Sequence, residues 1–188
     1  MRNYLDLGEG QDIPAGYKCR MRSPWYCVPH VYHPDAFLTY MSGSMPRLVA
    51  NDAGVYAPNS LHILRLHPQA GVSSDALAAL WQTSLTRLSV EIEGHALGGG
   101  MLKLEPTEAE NVLIPSPDEK AMASLLGLSA ELDDLARRAG DDAARARADE
   151  AILREMMGLT GGECELLRSA AVTLRTRRGY GEPANGAA

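Results

Sequence analysis

Cysteine is scarce: Cys19, Cys27 and Cys164 are the only three in 188 residues. So odd and sparse a set builds no disulfide framework and points to a reducing cytoplasm. No apolar run is long enough to span a bilayer, so no membrane partner is expected. The N-terminus lacks a signal-peptide shape, because Asp6, Glu9 and Asp12 interrupt it. Positive charge is also in short supply. A net charge of −6 excludes a generic polyanion binder, so any nucleic-acid contact must be a local patch. Nucleophilic signatures are missing too: there is no Gly-x-Ser-x-Gly and no Cys–His context that looks activated. No internal repeat is present.

What remains is an ordinary globular composition, 45% hydrophobic and 22% charged. The charge is uneven. Residues 1–65 are near balance, whereas 66–120 carry an acidic excess from Glu91, Glu93, Glu105, Glu108, Glu110, Asp118 and Glu119. The stretch 17–26 stands out, with Lys18, Arg20 and Arg22 on alternate residues before Pro24, Trp25 and Tyr26. In a strand those cations would share one face and could follow a phosphate backbone. Trp25 and Tyr26 could stack on bases. The competing reading is a solvated edge strand whose cations discourage aggregation.

The pattern predicts short strands first. Residues 1–13 read as an entry segment, of a chain that could be part of something longer. Strands are expected at 37–40, 47–51 and 61–66, with 55–57 pairing back on 47–51 as a hairpin. A single apolar stripe through Leu77, Leu80, Trp81, Leu85, Leu88 and Ile92 predicts one helix of about 17 residues, stopped by Gly94. Gly98 to Gly100 is a loop, followed by strands at 101–104 and 111–114 around one helical turn. From Ser116 the spacing is helical. Ser116 reads as an N-cap with Pro117 at the first position. A second helix follows from about Asp142 to Gly158, and Thr160 and Glu163 form a capping box for a third. Residues 179–188 read as a disordered tail.

Few groups suggest chemistry. Cys19, Cys27, His30 and His33 are zinc ligands by type, but their spacing is no recognised knuckle, so no metal is expected. The Gly98–Gly100 run could cradle phosphate, with His95 and Lys103 flanking it. It lacks the ending of a P-loop and does not open a helix. The acids from Glu91 onward read as a solvated face, and Arg175, Arg177 and Arg178 as cations complementing a helix dipole.

Three segments together resemble a family. They are Lys18 to Tyr26, Arg47 to Asn51 with Asn59 to His62, and Gly94 to Pro106 with Val112 to Pro115. The order and spacing are similar to the C-terminal target-recognition region of N6-adenine DNA methyltransferases from restriction–modification systems. That resemblance implies a catalytic domain that binds S-adenosylmethionine, flips an adenine from the duplex and methylates it. It would carry an Asn/Asp-Pro-Pro-Tyr/Phe motif and a Gly-rich cofactor loop, and this sequence has neither. No cofactor is therefore expected in this chain. The positions matching the family's are Lys18, Arg20, Arg22, Trp25, Tyr26, Arg47, Asn51, His95, Gly98, Gly99 and Lys103. A departure is Gln82-Thr83-Ser84, where the family more often has Asn-Ser. The expectation is an α+β fold. A recognition domain with a mixed sheet and packed helices would span 14–116, and a helical segment 117–178. Its partners would be double-stranded DNA and a catalytic domain in cis or as a separate subunit. The rival readings are a protein-interaction module working through the C-terminal helices and, more distantly, a small metal-dependent enzyme.

Overall fold

Alternate apolar residues set up the first sheet. The structure, a computed structural model, describes residues 2–29, 31–57 and 60–179. His30, Asn59 and residues 180–188 of the tail expected at 179–188 lie outside them. The chain divides into two compact units, Met1–His33 and Pro34–Ala188.

The first unit is helical. Helix α1 (Arg2–Gly10) occupies the expected entry segment, and a 3-10 turn over Ile13–Ala15 leads to the short α2 (Tyr17–Arg20). Trp25 packs on α1 at Gly8, where a Cβ would lie 2.8 Å from the indole. The indole N–H also donates to Glu9 Oε1 at 3.4 Å. Asp12 holds a left-handed φ of 56°, a conformation Asp tolerates better than most residues. No described residue of this unit is buried.

The expected strand at 17–26 is not there. Gly16 C=O accepts from the Cys19 and Arg20 N–H groups at 2.9 and 3.0 Å, and Cys19 C=O from Arg22 N–H at 3.0 Å. These local bonds satisfy the backbone without a neighbouring strand. Residues two apart on a helix are about 200° apart around its axis, so Lys18 and Arg20 point to opposite sides. The shared cationic face is therefore corrected to separate cations.

In the second unit, β1 (Ala36–Thr39) lies between β3 (Leu48–Ala50) and β4 (Leu61–Leu64), antiparallel to both. Ala36 pairs with Ala50 and Leu64, and Leu38 with Leu48 and His62. Ala36, Leu38 and Leu48 face a core shared with Leu77, Trp81, Val90, Leu102 and Leu104. A second small sheet runs β2 (Met41–Ser42), β6 (Leu102–Lys103), β5 (His95–Ala96), also antiparallel. The hairpin expected at 55–57 gives way to β1 as the partner of β3. Residues 111–114 form no strand either; Leu113 N–H donates to Ser89 Oγ at 2.8 Å instead.

The single helix expected over 75–92 is two. Helix α3 (Ser74–Trp81) stops, Thr83 becomes an N-cap, and α4 (Ser84–Glu93) begins. The expected stripe is the packed face of α3 only. On α4 the buried residues are Ser84, Thr86, Arg87, Ser89 and Val90, whereas Leu85 and Leu88 are half-buried and Ile92 is 62% exposed. Helix α3 has two buried faces. Leu77 and Trp81 enter the sheet core, while Ala76, Ala79 and Leu80 join a second core with Leu125, Leu128, Leu132 and Ile152. A short α5 (Pro106–Asn111) carries a Glu105–Glu108 capping box. Helix α6 (Glu119–Ala139) starts at an Asp118 cap, not at Ser116, and ends at Gly140, φ +89°. Then come α7 (Asp141–Ala148), a π-helical stretch Asp149–Met156, and α8 (Gly161–Arg177) behind the Thr160–Glu163 capping box. The class is α+β, and the C-terminal helices pack on α3 and α4 within this unit.

Candidate nucleic-acid interface

One hairpin of the second unit gathers four of the sequence-picked residues. His95 and Lys103 are directly opposed across β5 and β6. Gly98 and Gly99 make the turn between them, closed by Leu97 N–H donating to Met101 C=O at 2.7 Å. Gly99 sits at φ +71°, and a Cβ at Gly98 or Gly99 would meet nothing within 4 Å. The turn therefore presents bare backbone that another molecule could approach closely.

The cations beside it are paired. Lys103 Nζ lies 2.5 Å from Glu105 Oε1 and 5.0 Å from the centre of the Tyr40 ring. Hydrogen bonds to Glu105 and then Tyr40 hold the ammonium well above its ordinary range, and Lys103 holds Glu105 below its own. His95 Nδ1 contacts Glu108 Oε1, the carboxylate that caps α5. Tyr40 also meets His62 edge-on at 5.2 Å, and His62 Nε2 is 2.6 Å from Leu104 C=O. The hairpin thus carries charge of both signs around an open turn.

Arg47 and Asn51 flank β3 and make no hydrogen bond or ion pair to the hairpin. Arg47 is exposed and pairs with Asp141 at 2.9 Å. Asn51 is committed to the fold: its amide donates to Pro34 and Val55 carbonyls, and its oxygen accepts from Val55 N–H. The remaining candidates lie in the first unit. Lys18 and Arg20 are exposed on α2, with Arg20 5.5 Å from the Tyr17 ring centre. Arg22 is half-buried. Trp25 meets Tyr26 edge-on at 5.7 Å, so its indole already serves the packing of its own unit.

Sequence reasoning missed the best-organised charges. Arg178, read as a dipole partner, is buried and bidentate to Glu91 at 2.8 and 2.9 Å. It also donates to the Gly43, Ser44 and Gly100 carbonyls. Glu91 is correspondingly no solvated acid, with 6% of its side chain exposed. Asp149 caps α4 from outside, accepting from Ser84 N–H at 2.7 Å and Ser84 Oγ at 2.6 Å. Neither link has a local sequence signal, because the partners lie 87 and 65 residues apart.

The Gly98–Gly100 turn joins two antiparallel strands, whereas a Rossmann-type cofactor loop runs from a strand into a helix N-terminus. Among the described residues no cluster of His, Cys, Asp and Glu could hold a metal ion, and no helix is long and apolar enough to cross a membrane.

The family described as Type II methyltransferase M.Eco57I, C-terminal domain, matches residues 1–153. The chain belongs to that family. It is a C-terminal domain of the methyltransferases of restriction–modification systems. A curated relative, the Type II methyltransferase M.AccI of Acinetobacter calcoaceticus, is 23% identical over 108 residues. That alignment covers 56% of this chain and 20% of the relative, so the chain matches about a fifth of that enzyme's length. No solved structure matches it. The M.Eco57I-type match covers the first unit and the second as far as residue 153, so it includes the hairpin and stops before α8.

Proposed function

We propose that this domain reads duplex DNA for an adenine-N6 methyltransferase whose catalytic domain, in cis or as a separate subunit, binds S-adenosylmethionine. The observation that carries the reading is membership of the methyltransferase C-terminal family across residues 1–153. The exposed cations and Tyr26 of the first unit support it, as does the bare glycine turn of the second. Lys18, Arg20 and Arg22 act as separate phosphate contacts. The Gly98–Gly99 backbone approaches the DNA closely, with Lys103 and His95 beside it. Arg47 is a further exposed cation, and Asn51 and Trp25 hold the fold around these groups.

The test is titration of mixed-sequence duplex at two salt concentrations with wild type, Arg20→Ala, Arg22→Ala and Lys103→Gln. Binding should weaken as salt rises, and each lost phosphate contact should lower the salt slope by about 0.9. A bidentate Arg–guanine contact would instead cost roughly 1–3 kcal/mol and relax sequence preference. Variants that all match wild type on every duplex would remove these residues from the interface. Calorimetry with S-adenosylmethionine should give no heat of binding. Saturable micromolar binding at one site would contradict the assignment of the cofactor to another domain.

A further inference from the structure

Four arginines from α4, α7 and α8 converge on one pocket. Arg87 of α4, Arg145 of α7, and Arg168 and Arg175 of α8 line a pocket of about 30 Å³. Arg168 and Arg175 are seven residues apart, close to two helical turns, so they lie on one face. The pocket has room for one or two oxygens of water size and excludes a base or a sugar.

The local charges are mostly satisfied, and the exception is informative. Two carboxylates also line the pocket: Glu91 is held by Arg178, and Asp142, largely exposed, lies 3.5 Å from Arg145 Nε. Arg145 pairs with Asp149 at 3.1 Å, and Arg168 with Glu165. Arg87 is only 7% exposed and has no carboxylate within ion-pair distance among the described residues. It donates through Nε to Gln82 C=O at 3.3 Å and through Nη2 to Asp141 C=O at 2.9 Å. These two carbonyls fix the guanidinium in place without neutralising it. Burial, and then the nearby Arg145, push Arg87 down to about 10, which still leaves it cationic at neutral pH. A buried cation facing like charges gains from an anion in the space between them.

We propose that this pocket binds one phosphate group, supplied by the DNA backbone. The DNA source rests on the recognition reading above; the oxyanion chemistry rests on the four guanidiniums alone. Two of them belong to α8, which lies beyond the family match, so this contact is an addition to what the family defines. Fixed guanidinium donors suit phosphate oxygens, which they can engage bidentately.

Thermal unfolding of the 188-residue chain is followed against inorganic phosphate and against chloride at equal ionic strength. Wild type should show a saturable rise in Tm with phosphate only. Arg168→Gln and Arg175→Gln should each weaken that phosphate binding roughly tenfold, while Arg137→Gln on α6 leaves it unchanged. Each pocket variant should also lower the salt slope for mixed-sequence duplex by about 0.9. Phosphate binding lost with an unchanged duplex slope would overturn DNA as the source and keep the oxyanion site. Duplex binding that is normal in every variant, with no saturable phosphate effect on wild type, would overturn the pocket and leave the recognition reading standing.

Discussion

Arg178 makes a bidentate pair with Glu91 and reaches three backbone carbonyls, so one side chain ties the end of α8 to α4, the 43–44 turn and the glycine turn. Arg178→Ala should destabilise the chain by about 3–5 kcal/mol, because Glu91 is left buried and unpaired. Urea unfolding measures it; a loss below about 1 kcal/mol would show that water replaces the guanidinium freely. Glu165 gives a prediction with a pH sign. Hydrogen bonds from Arg168 and then Ser169 lower its pKa to about 2. Its contribution to stability is thus fully present above the ordinary carboxylate value and is lost as pH falls toward 2. Glu165→Gln should flatten the stability profile between about 4.5 and 2, with a small amplitude because the site is exposed. An unchanged profile would remove Glu165 from the acid response. At this scale the sequence was least readable. Arg178 looked like a helix-end cation and Glu91 like one of a run of surface acids, because nothing local encodes a partner 87 residues away.

Helices α3 and α4 show what periodicity does and does not reveal. The stripe was readable through Leu77, Leu80 and Trp81, but on α4 the packed face is Ser84, Thr86, Arg87, Ser89 and Val90 rather than the expected Leu85, Leu88 and Ile92. The break at Thr83 was not visible, since Asp149 completes the second N-terminus from the π-helical stretch. Asp149→Ala should therefore cost about 3 kcal/mol or more through Ser84 and Arg145, again by urea unfolding. A cost like that of an ordinary exposed cap, about 1 kcal/mol, would mean that α4 caps itself through Thr83. The capping box of α8 was visible because all its parts are local, whereas the start of α6 was misplaced by two residues, from Ser116 to Asp118. Alternating cations at 18, 20 and 22 suggested a strand, but alternation over so short a run has meaning only beside a partner strand. The glycine turn was found correctly as a loop. Gly99→Ala should cost about 1 kcal/mol through its positive φ, since the space around it is open. Gly98→Ala, without that φ, should be closer to neutral. Equal effects at both would mean that crowding, not backbone conformation, selects glycine there.

The chain combines a helical unit with no buried residue among those described and a larger unit with two cores on either side of α3. The α+β class and the strand segments at 37–40, 47–51 and 61–66 were readable from alternation and punctuation. The pairing order β3-β1-β4 was not, because the candidate hairpin at 55–57 looked equally good locally. Membership of a methyltransferase C-terminal family is what supports the proposal that this architecture reads DNA. The most direct measurement is selection by this chain from a random duplex library at about 50 mM salt, with sequencing of bound and unbound pools. The account predicts enrichment of one short duplex motif, lost when salt is raised to about 200 mM. Bound and unbound pools of the same composition at every salt concentration would contradict it.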